Sequence, residues 1–72
     1  MEKETFELRP TEEFIELVKL LKVMQISQTG GHGKLIIEEG AVQVNGEQEF
    51  RKRKKLRKGD LVQVDSLQIQ IV

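Results

Sequence analysis

The chain of 72 residues predicts an α+β fold: a two-helix motif packed on a small antiparallel sheet, in the order strand, helix, helix, strands. Three observations predict it. Phe14, Leu17, Val18 and Leu21 recur at the i, i+3, i+4, i+7 spacing of an amphipathic helix. Leu61-Val62-Gln63-Val64 and Leu67-Gln68-Ile69-Gln70-Ile71 alternate apolar and polar residues, as half-buried strands do. Asn45-Gly46, set between two short alternating stretches, is a strong two-residue hairpin signal.

Taken in order, Thr5-Phe6-Glu7-Leu8 reads as a short strand with Phe6 and Leu8 facing inward, stopped by Pro10. Thr11 is the expected cap of a helix that begins at Glu12 and fades near Met24, with Glu12 and Glu13 in its first turn. Ile26-Ser27-Gln28 is a connection. Thr29 is a second N-cap, for a helix from about Gly30 to Glu39 that is closed by Gly40 at the left-handed C′ position. Glycines at 30, 31 and 33 are poor helix formers, and their crowding in one first turn implies a close approach to the backbone. Val42-Gln43-Val44 is a strand, and Glu47-Gln48-Glu49-Phe50 returns from the hairpin. Lys58-Gly59-Asp60 is a turn, and Asp65-Ser66 joins the last two strands. Neither a repeat nor a linker interrupts residues 1–72, which are read as one domain.

Composition narrows the function classes. With no cysteine and one histidine, neither a disulfide framework nor a structural zinc site is expected. No apolar run approaches the roughly 20 residues of a membrane span, and the acidic start is not a targeting peptide, so a cytoplasmic protein without membrane contact is expected. The short chain, lacking Tyr, Trp and Cys, predicts no enzyme, no cofactor and no small-molecule substrate.

Charge supplies the positive evidence. Arg51, Lys52, Arg53, Lys54, Lys55, Arg57 and Lys58 make seven of the eight residues from 51 to 58 basic, while the whole chain is formally neutral. Ten acidic and five basic residues precede Arg51; seven basic and two acidic residues follow from there. Such polarity concentrates a cationic field that suits a phosphate backbone and turns the acidic side away from it. An extended segment would place Phe50, Lys52, Lys54 and Leu56 on one face, with Phe50 and Leu56 as apolar anchors. Arg51, Arg53, Lys55 and Arg57 would share the other. The competing readings are a solvated strand, a nuclear-localisation signal and a membrane-surface patch. A solvated strand would mix signs, and a localisation signal belongs in a flexible tail.

Gly30-Gly31-His32-Gly33-Lys34 is not a nucleotide-binding loop, because Gln28 stands at its first glycine position and Leu35 at its Ser/Thr position. Free amides at a helix start still bind anions, which makes Thr29, Gly30, Gly31, His32 and Lys34 candidates for phosphate contact. The glycines stand where a major-groove reader would carry Asn, Gln or Arg, and Phe6, Phe14 and Phe50 are all expected in the core. Shape and phosphate recognition of folded RNA is therefore favoured over DNA or single strands.

Thr29 to Gly46, followed by Leu56-Arg57-Lys58-Gly59-Asp60, resembles the S-four RNA-binding domain, named after the fourth protein of the ribosomal small subunit. The shared marks are a capped second helix ending in Ile37-Glu38-Glu39-Gly40, then Val42-Gln43-Val44-Asn45-Gly46, then Gly59-Asp60. The chain looks most like small stand-alone bacterial members. The resemblance implies docking on structured RNA, ribosomal or transfer, with the second-helix start and the basic segment facing phosphate. Thr29 stands where many members have a capping serine, and Lys34 where they have a basic residue. Gly30 replaces a common arginine and Gly33 the usual alanine. The function expected is thus that of a non-catalytic, ribosome-associated RNA-binding protein, acting as a monomer. The rivals are a module binding an acidic protein and an RNA-targeting appendage of an enzyme.

Overall fold

The computed structural model describes residues 2–72. In chain order its elements are β1 (Glu2–Phe6), β2 (Ile15–Glu16), α1 (Leu17–Val23), α2 (Gly30–Glu38), β3 (Val42–Val44), β4 (Glu47–Gln48), β5 (Lys55–Leu56), β6 (Leu61–Val64) and β7 (Leu67–Ile71). The α+β class is the one the sequence predicts, with an unexpected short strand, β2, ahead of the first helix, and the two helices lie against each other and on the sheet.

The main sheet runs β1-β7-β6-β3-β4. The four strands from β3 to β7 in it pair antiparallel, while β1 adds alongside β7 in parallel, so the sheet is mixed. Alternation sets the register. Val42 faces Val64, Val44 faces Val62, and Val62 faces Ile69, which puts every valine and isoleucine of these pairs on one side. That side is buried against Leu17, Leu20 and Leu21 of α1 and Ile37 of α2. The opposite side carries a row of amides: Gln48, Gln43, Gln63 and Gln68 lie on successive paired strands, ending at Lys3. β1 begins earlier than Thr5, but Phe6 and Leu8 do pack against the core. Leu8 N donates to Val72 O and Val72 N to Phe6 O, so pairing continues to the last residue.

The first helix starts five residues later than the sequence pattern predicts. Thr11 is not its cap, and Glu12 and Glu13 lie in the irregular stretch that precedes it. The cause is tertiary. Ile15 and Glu16 are extended and pair with Leu56 and Lys55, and this ladder overrides the local helical period. Glu16, at the N-cap of α1, makes no side-chain cap hydrogen bond. Its first amides are satisfied instead by the basic segment: Leu17 N donates to Lys54 O at 2.9 Å and Val18 N to Lys52 O at 3.0 Å. Leu20 joins Leu17 and Leu21 in the core, and Phe14 lies outside the helix at its half-buried margin.

Both helices end in the same way. Gln25 N donates to Lys22 O and Ile26 N to Leu21 O after α1; Gly40 N donates to Ile37 O and Ala41 N to Ile36 O after α2. These are paired Schellman closures, and each puts its C′ residue at positive φ. Gly40 at +83° fits the role without strain, whereas Gln25 at +61° bears a Cβ in the left-handed region. Ser27, in the turn between the helices, is only 2% exposed, and its Oγ has no hydrogen-bond partner among the described residues.

Asn45 and Gly46 both take positive φ, at 53° and 85°, as the hairpin signal requires. The return strand is shorter than expected. β4 covers Glu47 and Gln48, after which Glu49 N still donates to Val42 O. Phe50 does not turn inward, and the basic segment is not a continuous strand: Lys54 N donates to Arg51 O across a turn, and only Lys55 and Leu56 pair.

Candidate nucleic-acid interface

The basic segment is tied down by its backbone. Lys52 O and Lys54 O accept from the start of α1, Lys55 and Leu56 pair with Glu16 and Ile15, and Arg57 N donates to Asp60 Oδ2 at 2.8 Å. Leu56 is fully buried among the core side chains. The main chain spends its polar groups and its one apolar side chain on the fold, and the cationic side chains are left outward. Arg51, Arg53, Lys54, Lys55 and Arg57 together line a shallow concavity of about 370 Å³. Every lining residue is cationic. Lys52 and Lys58 are exposed beside it without lining it, and Lys58 borders a separate hollow with Glu7, Arg9, Glu12 and Glu13.

The facing expected from an extended segment survives in part. Arg51, Arg53, Lys55 and Arg57 do share a surface, and Leu56 is the inward anchor. Lys54 joins the four, half-buried, because the turn at Arg51–Lys54 breaks the alternation. Phe50 is no anchor at all.

Packing five cations into one concavity has an electrostatic cost that the neighbours reduce. Glu49 accepts from Arg51 Nε at 2.9 Å and from Arg51 Nη2 at 3.1 Å, and Arg51 N also donates to the same carboxylate at 3.0 Å. The side-chain hydrogen bond from Arg51 is the main reason the Glu49 carboxyl is lowered to about 2 from 4.5, and the same bond raises the Arg51 guanidinium. At the other end, Lys55 Nζ stands 4.9 Å and Arg57 Cζ 5.6 Å from the centroid of the Phe14 ring. The ring's negative face attracts both cations and holds them at the rim.

The start of α2 is built as the sequence predicts. Thr29 caps it, its Oγ1 accepting from His32 N at 3.1 Å, while His32 Nδ1 accepts from Gln28 N at 3.3 Å. Thr29, Gly30, Gly31, His32 and Lys34 are all exposed. A Cβ at Gly30 would meet nothing within 4 Å, and one at Gly31 only Thr29 Oγ1 at 3.9 Å, so the surface over these amides is open. Gly33 is different. It is buried, and a Cβ there would stand 3.1 Å from both Ser27 Oγ and Val18 Cγ2. The close approach implied by this glycine is that of α1, not of a ligand. Val18 thereby connects the two candidate regions: its amide holds Lys52 O, and its side chain packs against the first turn of α2.

Two residues of this surface escape the sequence reading: Phe14, expected on a helix face, and Glu49, expected in an ordinary return strand. Phe50, expected in the core, lies on the surface instead. Phe50 is 53% exposed. The Glu49-x-Arg51 spacing is the one signal that was available, since residues two apart on an extended chain share a face.

The geometry is that of a pinned cationic turn beside a capped, glycine-opened helix. Residues 6–72 match the S4 domain family. The chain belongs to that family. The S-four resemblance drawn from Thr29 to Gly46 and Leu56 to Asp60 is thus borne out, over residues 6–72 of the chain. YbcJ of Escherichia coli (strain K12) is 40% identical over 58 residues, which cover 81% of this S4 domain chain and 83% of YbcJ. A protein of Bacillus subtilis (strain 168), named as a probable ribosome maturation protein, RlbA, is 38% identical over 53 residues, or 74% of this chain and 75% of RlbA. The solution structure of YbcJ, said to reveal an alfaL motif involved in RNA-binding, superimposes with a TM-score of 0.69 at 38% identity, covering 94% of this chain and 85% of that one. Among the described residues no cluster of three or more His, Cys, Asp or Glu side chains is arranged to hold a metal ion, and no helix is long and apolar enough to cross a membrane.

Proposed function

We propose that this S4 domain binds structured RNA without catalysis, and that the seat of binding is the concavity lined by Arg51, Arg53, Lys54, Lys55 and Arg57. The observation that carries the reading is that lining: five cations, with Glu49 paired to Arg51 at one end, on a backbone stitched to α1. A pinned main chain suits a helical phosphate track, because the turn that bears the cations need not be ordered on binding. A second phosphate contact falls to the open start of α2, where Thr29, Gly30, Gly31, His32 and Lys34 present amides and polar side chains. Lys52 and Lys58 add longer-range attraction. The name and motif of YbcJ support RNA as the partner, and the name of RlbA, a probable ribosome maturation protein, supports ribosomal over transfer RNA. In this reading residues 1–72 act as one domain, as a cytoplasmic monomer and without cofactor.

The test is the salt dependence of affinity for a folded ribosomal RNA fragment. Contact with about four to six phosphates gives a slope of log affinity against log salt near −3 to −5. A slope near zero overturns phosphate docking.

A further inference from the structure

The chain has three aromatic residues, all phenylalanines, and the structure treats them differently. Phe6 packs against the core. Phe14 is half-buried, with Lys55 and Arg57 over its ring. Phe50 is 53% exposed and immediately precedes Arg51, the first cation of the concavity. A lone exposed apolar side chain is ordinary on a protein surface. Two features set this one apart.

The first is its seat. Phe50 Cε1 lies only 3.3 Å from where a Cβ of residue 40 would stand, so the absence of a side chain at Gly40 gives the ring edge its place. Gln48 fixes the same corner, its Nε2 donating to Gly40 O at 2.6 Å. The second is its neighbour. Arg51 lines the concavity and pairs with both Glu49 oxygens, although its side chain is largely exposed. An aromatic ring supported along one edge and half open to solvent, one residue along the chain from a cation that lines the hollow, can receive an unpaired base.

We propose that Phe50 is the stacking seat for one unpaired nucleobase, so that the RNA partner carries a bulged or junction nucleotide directly beside the backbone that lies in the cationic concavity. This rests on the RNA reading above and deepens it, from phosphate recognition to recognition of a paired–unpaired boundary.

The chain contains no tryptophan, so Phe50→Trp installs a single fluorophore at the site. It would be titrated with a fully paired RNA hairpin and with the same hairpin carrying one extra unpaired adenosine. The bulged hairpin is expected to quench Trp fluorescence strongly and the paired one weakly. The parent should bind the bulged form roughly tenfold more tightly, and Phe50→Ala should abolish that preference while leaving affinity for the paired hairpin unchanged. Phe50→Leu, which keeps apolar bulk but has no ring, should behave as Phe50→Ala does; both should melt with the parent. If Phe50→Ala keeps the preference, or if the parent shows none while still binding the paired hairpin, the stacking seat is overturned. Lys55→Glu separates the two ideas. It should weaken binding of both hairpins, and its failure to do so would count against the cationic concavity rather than against Phe50.

Discussion

Asn45 and Asp60, fifteen residues apart, join the two turns that bear the family's marks: Asn45 Nδ2 donates to Asp60 Oδ1 at 3.0 Å. Asn45 Oδ1 in turn accepts from Leu61 N at 2.9 Å, and Asp60 Oδ2 accepts from Arg57 N at 2.8 Å. Both side chains are thus used twice. The hairpin tip of β3–β4 and the turn leading into β6 are one hydrogen-bonded unit, and that unit fixes the end of the cationic segment at Arg57. This explains physically why Val-Asn-Gly and Gly-Asp occur together: each turn lacks a partner without the other.

Asn45→Gly keeps the positive φ and removes the side-chain bonds, so it should cost about 1 kcal/mol in urea denaturation. Asn45→Ala loses the same bonds and also strains the left-handed position, adding about 1 kcal/mol more. Asp60→Ala combined with Asn45→Gly should cost less than the sum of the single changes, since the two share a bond. Full additivity would show that the two turns are energetically independent.

Leu56 and Arg53 separate fold from binding. Leu56→Ala empties a fully buried position opposite Ile15 and should destabilise the protein by about 2–5 kcal/mol. Arg53→Glu reverses a charge on an exposed turn and should weaken RNA binding while shifting the melting transition little. Thermal melts and RNA titrations of both variants check this, and the opposite pattern would mean that the segment faces the other way.

Much of the fold was legible because its determinants are local. Asn45-Gly46, Gly40 and Thr29 each demand a particular backbone geometry, and each has it. The alternation of β6 and β7 likewise contains its own register. What failed was decided across the chain. Thr11 loses its helix because residues 15–16 pair with residues 55–56, forty positions away, and nothing near Thr11 reports that. Phe50 is expected inward as the apolar partner of Leu56 on an extended segment, and the turn at Arg51–Lys54 breaks that segment. The charge of the site could be read directly, whereas its concave shape depends on the turn at Arg51–Lys54 and on carbonyls that bond α1.

Gln25 sits at +61° in the closure of α1, where α2 uses a glycine. Gln25→Gly should therefore stabilise the protein by about 0.5–1 kcal/mol, the relief of left-handed strain less the entropy that glycine gains in the unfolded chain. Gly40→Gln should be destabilising by comparison, because a Cβ there is strained at φ +83° and displaces the Gln48 amide from its bond to Gly40 O. Denaturant midpoints of the two variants measure the contrast.

Glu49 links stability to acid. Its carboxyl is lowered to about 2 from 4.5, first by the Arg51 side-chain hydrogen bond, so the folded state favours the charged form. The stabilisation is fully present above the unfolded value of 4.5 and is lost as pH falls through the interval down to about 2. Glu49→Gln should be less stable than the parent at neutral pH, and the gap should close as the acid range is crossed. Arg51 is bathed in solvent, so the gap is modest and shrinks with added salt. A gap that stays constant down to the acid limit would show that Glu49 acts through neutral hydrogen bonding alone.

The glycines of α2 divide into two roles that substitution can tell apart. Gly33→Ala pushes a methyl to 3.1 Å from Ser27 Oγ and Val18 Cγ2, and so should loosen the α1–α2 contact. Ser27→Ala removes one of those neighbours together with a buried hydroxyl that has no partner among the described residues, and so should be neutral or stabilising on its own. The pair Gly33→Ala with Ser27→Ala should recover much of the stability that Gly33→Ala loses. Gly31→Val presents the other role. Its side chain enters open space, so melting should change by no more than about 1 kcal/mol, the scale of helix propensities. Branched bulk over the amides should nevertheless weaken RNA binding by shutting phosphate out. Thr29→Ala is the control, costing about 1 kcal/mol through loss of the cap while leaving the approach open. If Gly31→Val binds RNA as the parent does at the same salt, phosphate does not meet the α2 amides, and the concavity at Arg51–Arg57 supplies the affinity alone.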